Sequence, residues 1–173
     1  MSRVAASFAL MVALLASGAS AQQPAATAPY CDSPNTLEGL IKALDDAVSG
    51  PRDKDRTCLR GLLLPEARMT SIRKEQDGSF QPRILTVDDW IKAVSSHPGP
   101  PFYEKQIKVT SETYGHFAHL WSTYEIRPTS EGKAEVKGIN SIEAVYDGKR
   151  WRILSILWES DATAGPVPEK YLP

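Results

Sequence analysis

The chain has 173 residues, 42% of them apolar and 24% charged, the balance of a soluble globular protein. Its 20 Lys and Arg stand against 21 Asp and Glu. That excludes the basic excess expected of a nucleic-acid binder and leaves no polybasic handle for anionic membranes.

The first residues form a recognisable address. Arg3 is followed by an apolar run over 4–16 and then by Ser-Gly-Ala-Ser-Ala, with Ala19 and Ala21 as small residues at the end. A basic start, a short apolar stretch and an Ala-x-Ala close define a secretory signal peptide over 1–21. The run is shorter than the roughly 20 apolar residues a membrane span needs, so no membrane anchor is expected after cleavage. The expected location is periplasmic or secreted. Residues 22–30, rich in Gln, Ala, Thr and Pro, read as a flexible leader. In an oxidising compartment the only two cysteines, Cys31 and Cys58, are expected to pair. They would staple the start of the domain to its second helix, with roughly 3 kcal/mol of chain-entropy stabilisation.

The domain itself is expected over 31–160. Leu37, Leu40, Ile41, Leu44 and Val48 make one apolar stripe of a helix over 35–49. Ser33 is its expected cap, and Gly50-Pro51 ends it. A second helix is expected over 54–64, carrying Cys58, Leu59, Leu62 and Leu63 and closed by Pro65. The period then changes to that of a strand over 67–74, a turn at Asp77-Gly78, and a return strand over 80–85 that Pro82 confines to a sheet edge. Thr86 caps a third helix whose first turn carries Asp88 and Asp89 and whose buried side is Trp90, Ile91 and Val94. Long strands follow over 103–114, 116–127, 134–146 and 150–159, with turns at Gly115, 128–133 and Asp147-Gly148. The residues after 160 read as an irregular tail. Helices first and strands last is an α+β pattern.

These pieces resemble the NTF2-like (SnoaL-like) superfamily and, within it, the exported type described as lumazine-binding. The residues that carry the resemblance are Leu62-Leu63-Leu64-Pro65-Glu66-Ala67-Arg68-Met69, Trp90-Ile91, Gly115-His116-Phe117-Ala118, and Asp147-Gly148-Lys149-Arg150-Trp151-Arg152-Ile153 with Trp158. It covers about residues 33–160. The resemblance implies a strongly curved antiparallel sheet packed against three N-terminal helices, enclosing a cone-shaped cavity. It names no reaction, because such folds host both enzymes and non-catalytic members.

Strand alternation then sorts candidate site residues. In 116–127 the even set, His116, Ala118, Leu120, Ser122, Tyr124 and Ile126, is the smaller and more apolar, and is expected to face inward. The odd set, including His119 and Trp121, is expected on the outer face, which the resemblance associates with a homodimer interface; Trp121 is expected either to serve such an interface or simply to pack on the surface. His116, Tyr103 and Tyr124 are the candidate acid-base residues, with Asp32 or Glu104 beside them if the fold brings them together. Tyr103, Leu120, Tyr124, Asn140 and Ser155 are the candidate ligand-binding residues. Gly138 is expected either to bulge the strand or to make room beside the cavity, and Arg73 to stand at its mouth. There is no His-Glu-x-x-His, no Cys cluster, no Gly-x-Ser-x-Gly and no phosphate loop, so neither metal nor cofactor is expected. Two functions follow. The first is binding of a small, partly apolar ligand, or self-association, without catalysis. The second is a lyase or isomerase that moves a proton within the cavity.

Overall fold

The structure, a computed structural model, describes Cys31 and residues 35–173. The signal segment, the leader, Asp32 and the Ser33 cap lie outside the described residues.

The first helix, α1 (Leu37–Val48), is capped by Thr36, whose hydroxyl accepts the Gly39 amide at 3.1 Å. It buries Leu40, Ile41, Leu44, Ala47 and Val48, the face its apolar stripe predicts. The second helix is a single turn, α2 (Leu59–Leu62), shorter than expected at both ends. At its start, Arg56 holds the preceding chain as a loop. Its fully buried guanidinium donates to the carbonyls of Val48, Gly50, Pro51, Arg52 and Lys54. At its end, Pro65 does not stop a helix but lies inside strand β1 (Leu63–Lys74). It falls between Leu63 and Arg68, where pairing to the neighbouring strand is interrupted, so its missing N–H costs no ladder bond. Cys31 and Cys58 are disulfide-bonded, with Cα atoms 4.8 Å apart, which ties the start of the described chain to the residue before α2.

The hairpin partner β2 (Phe80–Leu85) pairs antiparallel with β1, Ile72 opposite Pro82, and forms one edge of the sheet. Helix α3 (Val87–Ser96) follows, with Thr86 accepting the Asp89 amide. Then come β3 (Tyr103–Tyr114), β4 (Phe117–Arg127), β5 (Val136–Tyr146) and β6 (Trp151–Ser160). The tail expected to be irregular carries one helical turn, α4 (Asp161–Ala164), and a 3-10 turn, Glu169–Tyr171.

The six strands lie in the order β2-β1-β6-β5-β4-β3. The expected all-antiparallel sheet is corrected at one seam: β1 and β6 pair in parallel, because the last strand returns beside the first after the whole meander has been laid down. Register shifts fall between Gln106 and Lys108 in β3 and between Glu143 and Ala144 on β5, opposite Leu154 of β6. Such bulges bend a strand and increase its twist, and here they curve an unclosed sheet around the helices. The core joins the inner faces: Leu40, Leu44, Leu59 and Leu62 from the helices, with Ala118, Leu120, Ile142 and Ile153 from the strands.

Candidate functional site

Inside the curve is a cavity of about 400 Å³. Its apolar walls come from Leu44 and Val48 of α1, Trp90 and Val94 of α3, Phe102, and Met69, Ile126, Val136, Ile156 and Trp158 of the sheet. Glu104, Tyr124 and Asn140 place polar atoms on this lining, and the charged residues Arg52, Arg127 and Glu135 border it as well.

Neighbouring strands bring these groups together. Asn140 lies opposite Ser122, and Gln106 opposite Tyr124. The Asn140 amide donates to Glu104 Oε1 at 3.3 Å and to Gln106 Oε1 at 3.2 Å. The Gln106 amide donates to Glu104 Oε1 at 2.8 Å, and its carbonyl oxygen accepts the Ser122 hydroxyl. On the helix side, Asp45 of α1 accepts the Gln106 backbone N–H at 3.0 Å, while its second oxygen is buried without a partner among the described residues. The Tyr124 hydroxyl and the Asn140 carbonyl oxygen also have no hydrogen-bond partner among the described residues. Both residues are buried and both line the cavity.

The electrostatics follow from this enclosure. Burial, and then the nearby Asp45 charge, raise the Glu104 carboxyl to about 7, against the opposing pull of the Asn140 and Gln106 donors. Burial raises Asp45 to about 6, with the Gln106 backbone N–H opposing it. Burial and the Glu104 charge push the Tyr124 phenol above its ordinary value. A carboxyl that titrates near neutrality in an apolar cavity can hold or release a proton there.

The expected residues divide. Tyr124 and Asn140 line the cavity, and Glu104 joins them. His116 does not: it precedes β4, in the turn with Gly115, and is exposed with its ring stacked 6.5 Å from Tyr146. Tyr103 alternates to the opposite face from Glu104 and is absent from the lining. Leu120 is inward but is spent on the core, at 1% exposure. Ser155 is turned out by the bulge at Leu154. Ile153 and Ile156 are the buried residues on either side of that bulge, and Trp158 reaches the cavity instead. The remaining inward assignments of β4 hold, with Ala118, Leu120, Ser122 and Tyr124 all buried. On the outer face His119 meets the Ser141 hydroxyl at 3.2 Å, and Trp121 is packed against Tyr171 of the tail at 5.7 Å. Gln106 and Asp45 were missed, although the helical period could have placed Asp45 beside Leu44 at the edge of the buried stripe.

No family model and no curated protein matches the chain. Solved structures do. A protein of unknown function with a cystatin-like fold from Nostoc punctiforme is similar at TM-score 0.54 and 7% identity, over 72% of this chain and 88% of that one. A protein of unknown function from Mycobacterium tuberculosis is similar at TM-score 0.50 and 15% identity, over 70% of each chain. An NTF2-like protein of unknown function from Shewanella baltica is similar at TM-score 0.48 and 11% identity, over 73% of this chain and 98% of that one. The chain has a cystatin-like α+β fold.

Proposed function

We propose that this is an exported domain that binds a small, partly apolar molecule in the cone. The observation that carries the reading is the pair of unpartnered polar groups, the Tyr124 hydroxyl and the Asn140 carbonyl oxygen, on residues that line a cavity with largely apolar walls. Apolar walls supply affinity, and a few placed polar groups orient the ligand. The volume suits a molecule of metabolite size, since such sites span about 300–1,000 Å³. The finer resemblance, to the exported lumazine-binding type, puts a flat heterocycle with polar edges among the ligands to try. Export rests on the sequence of residues 1–21, and the Cys31–Cys58 bond agrees with it. Self-association through the outer sheet face belongs to the same proposal, supported by Leu154 and Leu157 of β6, each 43% exposed.

A screen of small molecules against the mature protein, read by thermal shift, tests the binding. A stabilising compound should keep its effect in His116→Ala and lose it in Val136→Trp, which fills the cavity. A shift that persists in Val136→Trp would place the ligand elsewhere.

Glu104 favours a second reading, proton transfer next to a carbonyl, with Glu104 rather than His116 as the base and the Tyr124 hydroxyl as donor to the oxygen. Deuterium uptake at the α-carbon of 2-tetralone would then rise through one ionisation near neutrality and vanish in Glu104→Gln. Binding without uptake would leave the plain binding module.

A further inference from the structure

A second recess, of about 520 Å³, adjoins the cavity and shares Arg52, Trp90, Val94 and Trp158 with it as walls. Its chemistry is different. Arg52, Arg73, Arg83 and His97 line it, and no acidic side chain does, in a chain whose acids outnumber its bases. The hairpin register creates this: Ser71 lies opposite Arg83 and Arg73 opposite Gln81, so Arg73 and Arg83 share the face of β1 and β2 that continues from buried Met69. None of the three guanidiniums has an ion-pair partner among the described residues. Arg52 is fixed in place, with Nε donating to the Pro100 carbonyl at 2.8 Å and its guanidinium 5.3 Å from the Phe102 ring centre.

The cavity therefore has the hydrogen-bonding groups of Tyr124, Asn140 and Glu104 in its lining, and beside its apolar walls a recess lined by three arginines and no acid. We propose that the ligand is an amphipathic anion. Its apolar body fills the cone, a hydroxyl or carbonyl meets Asn140 and Tyr124, and its carboxylate, sulfate or phosphate sits among Arg52, Arg73 and Arg83. This rests on the cone being a binding site and adds the class of molecule it takes. The arginine fork suits such anions because it offers several N–H donors in one plane.

Titration calorimetry on the mature protein with 10-hydroxydecanoate and 1,10-decanediol separates the two claims, since the probes differ only in the anionic end. The acid is expected to bind about tenfold more tightly, and raised salt should narrow that gap. Arg73→Ser with Arg83→Ser should abolish the preference and leave diol binding unchanged. Both arginines are exposed, so the fold should survive, and circular dichroism checks it. Equal binding of the two probes, or a preference that persists in the double variant, would overturn the anion proposal and keep the cavity reading. Binding of neither probe would overturn both. Sedimentation with phosphatidylglycerol vesicles distinguishes a free ligand from a bilayer. No arginine-dependent binding is expected there, and finding it would reassign the recess to a membrane surface.

Discussion

The Tyr124 side chain lies across the β4–β5 ladder directly over Gly138, its cross-strand partner. An added Cβ on Gly138 would collide with the Tyr124 hydroxyl and ring and with the Glu159 carbonyl oxygen. The glycine is there to let a buried phenol lie flat against the sheet and present its hydroxyl to the cavity. Of the two expectations for Gly138, making room rather than bulging is the one realised, since β4 and β5 stay in register throughout.

Gly138→Ala should therefore destabilise the fold by about 1–3 kcal/mol, the range for overpacking a tight interior. Urea denaturation measures it. Adding Tyr124→Leu should recover only part of the loss, because the Glu159 carbonyl is backbone and cannot move aside. Full recovery would mean that the tyrosine alone is responsible.

The carboxyl pair makes stability pH-dependent with a defined sign. Both folded-state values are raised, Glu104 from 4.5 to about 7 and Asp45 from 3.8 to about 6. The folded state then binds more protons than the unfolded one, and unfolding free energy must fall as pH rises from about 4 to about 7, levelling above that. Glu104→Gln should flatten much of this slope and be more stable than the parent at about pH 8, converging with it near pH 4. Urea midpoints across that range provide the measurement. A parent chain that gains stability over the same range would refute the electrostatic account.

How much of this could be read from the residues depended on where the strands bulge. Alternation placed Ala118, Leu120, Ser122 and Tyr124 correctly because β4 carries no extra residue. It misplaced Ser155 because a bulge at Leu154 reverses the phase of β6 midway, and nothing in Ile153-Leu154-Ser155 announces one. His116 falls one residue inside the expected strand 116–127, whereas the strand starts at Phe117. Glu104 is visible in the sequence only as a conditional partner, since its importance comes from Gln106, Asn140 and Asp45, and Asp45 meets Gln106 across 61 residues of chain.

Arg56 is the clearest residue that the sequence conceals. It sits in Arg-Asp-Lys-Asp-Arg, where the charged start of the second helix is expected, yet it lies in the loop before α2 and is 0% exposed. Its five carbonyl partners include the end of α1, and its guanidinium lies 5.4 Å from the Phe102 ring centre, on the cavity wall. Arg56→Met should cost on the order of 3 kcal/mol or more, because several buried carbonyls lose their donor together. Arg56→Lys should recover little, since one ammonium cannot replace a fork. Thermal unfolding checks both, and a loss below about 1 kcal/mol would contradict the role.

The disulfide is a separate stabiliser. Cys31→Ser with Cys58→Ser should lower unfolding free energy by about 2–4 kcal/mol. Intact mass of the protein expressed from its full sequence, after thiol labelling, should show no free thiol without reductant and two with it. The same spectrum reports the leader, with a mature chain beginning at Gln22 expected from the Ala-x-Ala cleavage pattern.

The outer sheet face is divided by its own tail. The Thr123 hydroxyl donates to the Tyr171 carbonyl at 2.6 Å, and Lys108 donates to the carbonyls of Lys170 and Leu172 at 3.0 and 2.6 Å. Trp121, expected either to serve a dimer or simply to pack on the surface, is thereby occupied within its own chain. Apolar residues left exposed on this face include Leu154 and Leu157 of β6, Ile84 of β2 and Phe117 of β4. If two copies meet through this face, Leu157→Glu should dissociate them by placing a charge at the apolar centre of the contact, while truncation after Gly165 should leave association intact or strengthen it by uncovering Trp121. Sedimentation equilibrium reads both variants. A dimer that survives Leu157→Glu but is lost on truncation would move the interface from β6 to the tail.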